Sequence, residues 1–196
     1  MGLNQMCINK KKLITISVVG IIIILISLAA YLIYDINHRF PEPVMYTYTF
    51  DNSANEDGLV ITPLECRIYT YDNYKNEYGE ASAFTEKESN SDRTRYIVFK
   101  LKFENVSQRS ISYETDTFWM NGEKSGVYNG VLLEEGKKNK STIQPGETQQ
   151  FTLSTVVTAP SLIKTKWIDK LDEETFYLVY RWYPSIKRLE FDVSHD

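Results

Sequence analysis

An uncharged run from Leu13 to Tyr34 constrains this chain more than any other feature. Coiled as an α-helix at about 1.5 Å per residue, the run is roughly 33 Å long, which crosses a hydrocarbon core of about 30 Å. A cleavable signal ordinarily has a shorter apolar stretch of about 7–15 residues, closed by small residues at the cut. Ser27 and Ala29 satisfy a small-x-small rule, but the apolar run continues beyond them through Tyr31, Leu32, Ile33 and Tyr34. Run length therefore favours an uncleaved anchor over a cleaved signal. Processing as a lipoprotein fits less well, because the accepting cysteine should follow the run and Cys7 precedes it.

Charge sets the expected orientation. Lys10, Lys11 and Lys12 crowd the amino-terminal side, whereas Asp35, Arg39 and Glu42 mix signs on the other. Basic residues resist translocation, so residues 1–12 are expected in the cytoplasm, 13–34 across the cell membrane, and the remainder outside. Tyr31 and Tyr34 then fall at the outer interface, where amphipathic rings settle. Pro41 and Pro43 make 35–43 an extended spacer, and 44–196 is one extracellular domain.

Those three lysines belong to the 22 basic residues and none of the 26 acidic ones precedes Asp35, so the segment from 35 onward carries a formal −7. That sign disfavours nucleic acid and anionic headgroups as partners, since both are bound by basic patches. It suits solubility first and a cationic partner second. The two cysteines, Cys7 and Cys66, lie on opposite sides of the expected membrane and cannot pair within the chain. An exported domain with one thiol is no disulfide scaffold, and it suits a bacterial surface. Cys66 alternates with Leu64 and Ile68 and reads as a small buried residue.

Beyond the spacer the pattern has a period of two. Segments 44–50, 59–71 and 96–106 read as strands, the second as a strand pair or as one strand interrupted at Pro63. In 96–106, Ile97, Phe99, Leu101 and Phe103 share one face, and Val98, Lys100, Lys102 and Glu104 share the other, which is expected to be wet. Segment 51–58 reads as a polar turn, and 72–95 as a long surface loop with at most a hairpin near Gly79. Asn121-Gly122 predicts a hairpin turn, and Pro145-Gly146 a type II turn. Leu162, Ile163, Trp167, Ile168 and Leu171 predict one short helix. Segments 176–183 and 187–193 predict a closing hairpin around Pro184-Ser185. Six to eight strands on this spacing imply an all-β, antiparallel sandwich with one short helix, preceded by a single transmembrane helix.

The strand "RYIVFKLKFENVSQRSISY" followed by "IQPGETQQFTLSTVV" resembles immunoglobulin-like extracytoplasmic domains of unknown function. These occur on membrane-anchored surface proteins of Gram-positive bacteria. The matching positions are Val98 to Ile111 and Ile143 to Val157, within a resemblance covering roughly 59–193. It implies an extracytoplasmic immunoglobulin-like sandwich and brings no catalytic residues with it.

The chain offers little for catalysis. Its two histidines, His38 and His195, stand beside the membrane and next to the carboxyl terminus, poorly placed for a nucleophile–histidine arrangement or a metal site. No glycine-rich phosphate loop or nucleophile elbow appears. In "DNSANEDG", Ser53, Asn55, Asp57 and Gly58 mimic part of a calcium loop, but Leu64 stands where the closing glutamate belongs. Asp172, Glu173 and Glu174 read as the polar side of a loop or helix end. Asn105-Val106-Ser107 and Asn139-Lys140-Ser141 are sequons, relevant only in a eukaryote.

Aromatic residues make up 13% of the chain. Trp119, Trp182 and Tyr183 are candidates for ligand contact, with one of each strand-adjacent pair Phe118/Trp119 and Trp182/Tyr183 expected to face outward. The expectation is a binding or interaction module rather than an enzyme, without metal or cofactor. Its partner would be a protein, peptide or cell-wall component outside the membrane. The rivals are an immunity protein that intercepts cationic antimicrobial peptides, and a structural accessory of a membrane complex. The latter would use Gly20, Ser27, Ala29 and Ala30 for helix packing.

Overall fold

The computed structural model describes residues 2–79, 93–114, 116–130, 132–133, 140–159, 162 and 164–194. The chain divides into two compact units, Met1–Pro43 and Val44–Asp196.

The first unit is helix α1, Gly2–Arg39. Its stretch Lys12–Arg39 is, among the described residues, the one helix long and apolar enough to cross a membrane. Apolar residues occupy every side of it rather than one stripe, the pattern of a helix whose whole circumference meets an apolar medium. The spacer expected from 35 to 43 is shorter than the sequence implied. The helix continues through Asp35–Arg39, where Arg39 Nε donates to Asp35 Oδ1 at 3.0 Å one turn away. Pro41 stops it, since the residue before a proline is pushed out of helical geometry.

The second unit is a sandwich of two five-stranded sheets. The first comprises β1 (Met45–Tyr48), β12 (Ile186–Asp192), β11 (Thr175–Arg181), β6 (Trp119–Gly122) and β7 (Tyr128–Gly130), in that spatial order. The second comprises β2 (Ala54–Glu56), β3 (Leu59–Tyr69), β4 (Thr94–Asn105), β10 (Thr148–Thr158) and β8 (Leu132–Leu133). A two-stranded ribbon joins β5 (Ile111–Glu114) to β9 (Lys140–Ile143). Twelve strands are described where the sequence suggested six to eight, because segments 51–58 and 111–133 each hold short strands between turns. Ala54, in the segment read as a polar turn, is fully buried. One pair departs from the antiparallel expectation: β1 runs parallel to β12, from Met45 opposite Ile186 to Tyr48 opposite Leu189.

The core follows from period two. Ile97, Phe99, Leu101 and Phe103 are all fully buried between the sheets. Phe99 meets Phe176 and Phe191 of the opposite sheet edge-on, at ring-centroid distances of 6.1 and 5.1 Å. Edge-to-face pairs of this kind add about 0.5–1.5 kcal/mol beyond area burial. Strand β3 is continuous, with its register shifting between Pro63 and Glu65, so a bulge absorbs the missing donor. The sandwich is also stitched at one corner, where Ser194 N donates to Cys66 O at 2.9 Å and brings the end of the chain onto β3.

Three local expectations shift. Asn121 and Gly122 lie in β6 rather than at a turn, and the chain reverses over Glu123–Gly126, with Gly126 at positive φ. A Cβ on Gly122 would stand 2.5 Å from Ser125 Oγ and 2.8 Å from Val127 Cγ1, so close packing is what requires glycine there. The short helix is a 3₁₀ segment, Thr165–Glu173, kinked at Lys170. The outer face of β4 is only partly wet: Tyr96 and Val98 are buried, while Lys100, Lys102 and Glu104 are half-buried.

Cys66 is fully buried, and desolvation pushes its thiol well above the ordinary range, with nearby Glu65 adding to the effect. A buried protonated thiol is a poor nucleophile. The Val44–Asp196 unit is therefore expected to resist iodoacetamide at neutral pH and to be alkylated at Cys66 only in denaturant. Rapid alkylation of the folded protein, read by mass spectrometry, would contradict this placement.

Candidate functional site

The dry part of the outer face of β4 is explained by a helix placed where the sequence read as loop. Tyr71–Tyr78 forms α2, opened by Thr70, whose side chain accepts from Asn73 N, and closed by Gly79, which has a φ of 87° and donates N–H to Lys75 O. Tyr71, Tyr74 and Tyr78 follow the 3–4 spacing that places residues on one helix face. That face lies on the sheet. Tyr74 stacks on Tyr96 at 4.7 Å and its hydroxyl donates to Ser154 Oγ at 3.1 Å, while Tyr69 meets Tyr78 edge-on at 5.7 Å. Burial pushes the hydroxyls of Tyr69 and Tyr78 up, so both remain protonated at any physiological pH. Of the rest of the segment read as a loop, residues 80–92 lie outside the described residues, and Thr94 and Arg95 already belong to β4.

Beside this tyrosine cap opens a cleft of about 560 Å³. Strand β3 contributes Arg67 and Tyr69, α2 contributes Asn73, Asn76 and Glu77, the 3₁₀ segment contributes Asp172, and the terminal segment contributes Ser194. Its size falls within the range of about 300–1,000 Å³ usual for small-ligand sites. Its chemistry is polar: one guanidinium, two carboxylates, two amides and a hydroxyl surround the edge of a tyrosine. Arg67 is braced, since its Nε donates to Glu65 Oε1 at 2.5 Å. Lys100 holds the other oxygen of that carboxylate at 2.8 Å. The lysine above all, helped by Arg67, keeps the Glu65 carboxyl below its ordinary range. Such a lining offers donors and acceptors of the kind that hydroxyl- and amide-bearing molecules can meet. Among the described residues no three His, Cys, Asp or Glu side chains converge as metal ligands.

A second, smaller cleft of about 260 Å³ is lined by Asp51, Glu65, Glu190 and Asp192 together with Phe50 and Phe191. The calcium-like segment beside it is a hairpin: Asp57 and Gly58 both have positive φ and link β2 directly to β3. Glu56, which precedes this turn, joins the two sheets by accepting from Lys187 Nζ at 2.6 Å and Arg181 at 2.9 Å.

Of the sequence-selected aromatics, Trp119 opens β6 and is 40% exposed, while its neighbour Phe118 is fully buried, as alternation requires. Trp182 and Tyr183 are both exposed, at 44% and 86%. The expectation that only one of them faces outward fails because β11 ends at Arg181, before strand alternation reaches them. None of the three lines the polar cleft. His38 stacks on Tyr34 within α1, and His195 lies outside the described residues. Sequence reading missed α2, although the signals were present in Thr70, the spacing of Tyr71, Tyr74 and Tyr78, and Gly79.

The motifs that carried the family resemblance prove to be one structural joint. Asn105, fully buried at the end of β4, donates through Nδ2 to Arg109 O and Ile143 O, both at 2.8 Å. Its Oδ1 accepts from Ser107 N at 2.9 Å and Ser107 Oγ at 2.7 Å. Gly146, at a φ of 76°, sits in a turn closed by Glu147 N donating to Gln144 O at 3.0 Å, and its own N–H reaches Asn105 O at 2.8 Å. The expected type II turn at Pro145-Gly146 is thus locked onto the end of β4.

No curated protein matches the chain. Similar solved structures include an uncharacterized β-sandwich protein from Clostridium difficile 630, with 11% identity and a TM-score of 0.44. That alignment covers 76% of this chain and 95% of that one. The yjhA protein from Bacillus subtilis is 12% identical with a TM-score of 0.44, covering 72% of this chain and 99% of its own. A functionally unknown protein from Listeria monocytogenes EGD-e is 11% identical with a TM-score of 0.47, covering 72% and 81% respectively. Residues 40–187 match one family throughout, and the chain belongs to that family, described as Domain of unknown function (DUF5028).

Proposed function

We propose that this protein is a membrane-anchored extracytoplasmic binding module that acts by holding a ligand rather than by catalysis. In this reading α1 is an uncleaved anchor in a single-pass bacterial cell-surface protein, with the sandwich, of immunoglobulin-like type, outside. The observation that carries it is the cleft between α2, β3 and the 3₁₀ segment, whose braced arginine and facing amides and carboxylates suit a polar envelope ligand such as a cell-wall glycan or peptide. Adding wall fragments to the isotope-labelled Val44–Asp196 unit is expected to move the amide signals of Asn73, Asn76 and Ser194. Asp172→Ala should weaken binding about tenfold, the equivalent of roughly 1.4 kcal/mol for one charge-assisted contact. Signals that stay in place with every wall fragment, peptide and anionic polymer would defeat the reading.

A second reading, interception of cationic antimicrobial peptides, is favoured by the acidic smaller cleft at Asp51, Glu190 and Asp192 and by the negative charge of the domain. It requires a lysine-rich peptide to move those signals instead. Unchanged peptide sensitivity in cells lacking the gene would count decisively against it.

A further inference from the structure

We infer that the strand-end fringe formed by Val44–Tyr46 and Trp182–Ile186 is a membrane-docking surface that seats the domain in the headgroup layer of the bilayer to which the chain is anchored. The inference rests on the proposed reading of α1 as an uncleaved anchor.

The fringe is assembled by register. Strand β1 starts opposite the start of β12, with Met45 facing Ile186, and Ile186 N donates to Val44 O at 2.9 Å. The turn that feeds β12 contains Trp182, Tyr183 and Pro184, all exposed. Strand β11 is antiparallel to both neighbours, and β6 begins with Trp119 opposite Val179. Trp119 therefore stands toward the same end of the sheet as Trp182. Val44, Met45 and Tyr46 are exposed as well, so exposed aromatic and apolar side chains from β1, β6 and the turn before β12 lie toward one end of the sheet.

Single exposed apolar residues are ordinary, but six of them gathered toward one end of a sheet point to an interaction site. Two observations select a bilayer as the occupant. The composition is that of an interfacial belt, since indole and phenol rings favour the headgroup layer, where one part of the ring is dry and the polar atom is wet. The position in the chain agrees: Val44 is the first residue of the domain, and only residues 35–43 separate it from Tyr34, the last residue of the uncharged run in a helix long and apolar enough to cross a membrane. The nearby cations Arg181 and Lys187 share the single carboxylate of Glu56, which leaves one net positive charge beside the fringe, so aromatic insertion is the main contribution to docking and anionic lipid a minor one.

The three tryptophans of the chain, Trp119, Trp167 and Trp182, all lie in the second unit, so tryptophan emission from the intact protein reports on that unit alone. The test reconstitutes the full chain into phosphatidylcholine vesicles brominated either just below the headgroups or at the bilayer midplane, and measures flotation on the same sample. The expected result is strong quenching by the shallow bromine and weak quenching by the deep one. Trp182→Phe and Trp119→Phe should each remove part of the quenchable emission, and the double variant most of it. Tyr183→Ser, at a site 86% exposed, should reduce quenching with all three tryptophans retained and with a urea midpoint matching that of the parent chain. A chain that floats with the vesicles but is quenched by neither lipid overturns the docking while leaving the anchor intact. A chain that does not float overturns both. Crosslinked dimers joined through the fringe, without quenching, would assign it to a second copy and overturn the proposal as well.

Discussion

Replacing Asn105 with alanine is expected to destabilise the sandwich by about 3–5 kcal/mol, enough to leave it marginal at physiological temperature. The side chain is fully buried and makes four hydrogen bonds, two donated to the carbonyl oxygens of Arg109 and Ile143 and two accepted from Ser107. Alanine leaves the buried Ile143 carbonyl without this donor, at roughly 1–3 kcal/mol, and removes the acceptor of the half-buried Ser107 N–H, while Arg109 O keeps Ser107 Oγ as a donor. It also opens a void where β4, the turn at Gly146 and β9 converge. Asn105→Asp sharpens the test. Its carboxylate would face two carbonyl oxygens, so the variant should be least stable when ionised. Its folded pKa lies above the unfolded value, so stability should rise as pH falls through the folded value and protonation restores one donor. Urea denaturation of the Val44–Asp196 unit measures both variants. A loss below about 1 kcal/mol for alanine would mean that the joint tolerates opening and that water replaces the amide.

Glu174→Ala is expected to cost about 2–4 kcal/mol, a size unusual for a residue in a run of three acidic side chains. The Glu174 carboxylate is buried at the start of β11 and accepts from the backbone N–H groups of Lys124 at 2.7 Å, Ser125 at 2.6 Å and Thr175 at 3.3 Å. It closes the turn after β6 as a helix-capping carboxylate closes a first turn, by meeting donors that the backbone leaves unpaired. Lys124 Nζ also reaches Glu173 O. Glu174→Gln keeps the shape but loses the charge and one acceptor oxygen, and should cost roughly half as much. The distinguishing readout is local: amide hydrogen exchange at Lys124 and Ser125 should accelerate before global unfolding does. Exchange unchanged at both positions would show that the turn is held by the packing of Gly122 and Val127 instead.

Both residues show where sequence reading ends. Asn105 and Glu174 look like ordinary polar punctuation in a linear chain, because burial of a polar side chain depends on partners 38 and 49 residues away. Asp172, two positions before Glu174, is exposed and lines the cleft, so composition cannot separate a structural carboxylate from an available one. The tyrosine helix failed for a different reason. Tyr71 continues the pattern of the strand 59–71, while Tyr74 and Tyr78 stand among polar residues, so the boundary at 71/72 divides a stripe whose spacing is helical.

The features legible in the chain alone are those governed by local periodicity. The uncharged run from Leu13 defines a helix long enough for a bilayer, and the alternation in Ile97, Phe99, Leu101 and Phe103 defines a strand with one buried face. Glycine at 58 and 146 also declared its turns, since positive φ is a property of a single residue. The tertiary structure alone decided which strands are neighbours, that β1 lies parallel to β12, that α2 covers Tyr96 and Val98, and that Arg67, Asn76 and Asp172 share one cleft. Those relations depend on how distant segments share buried area and satisfy one another's hydrogen bonds, and no window of neighbouring residues contains that information.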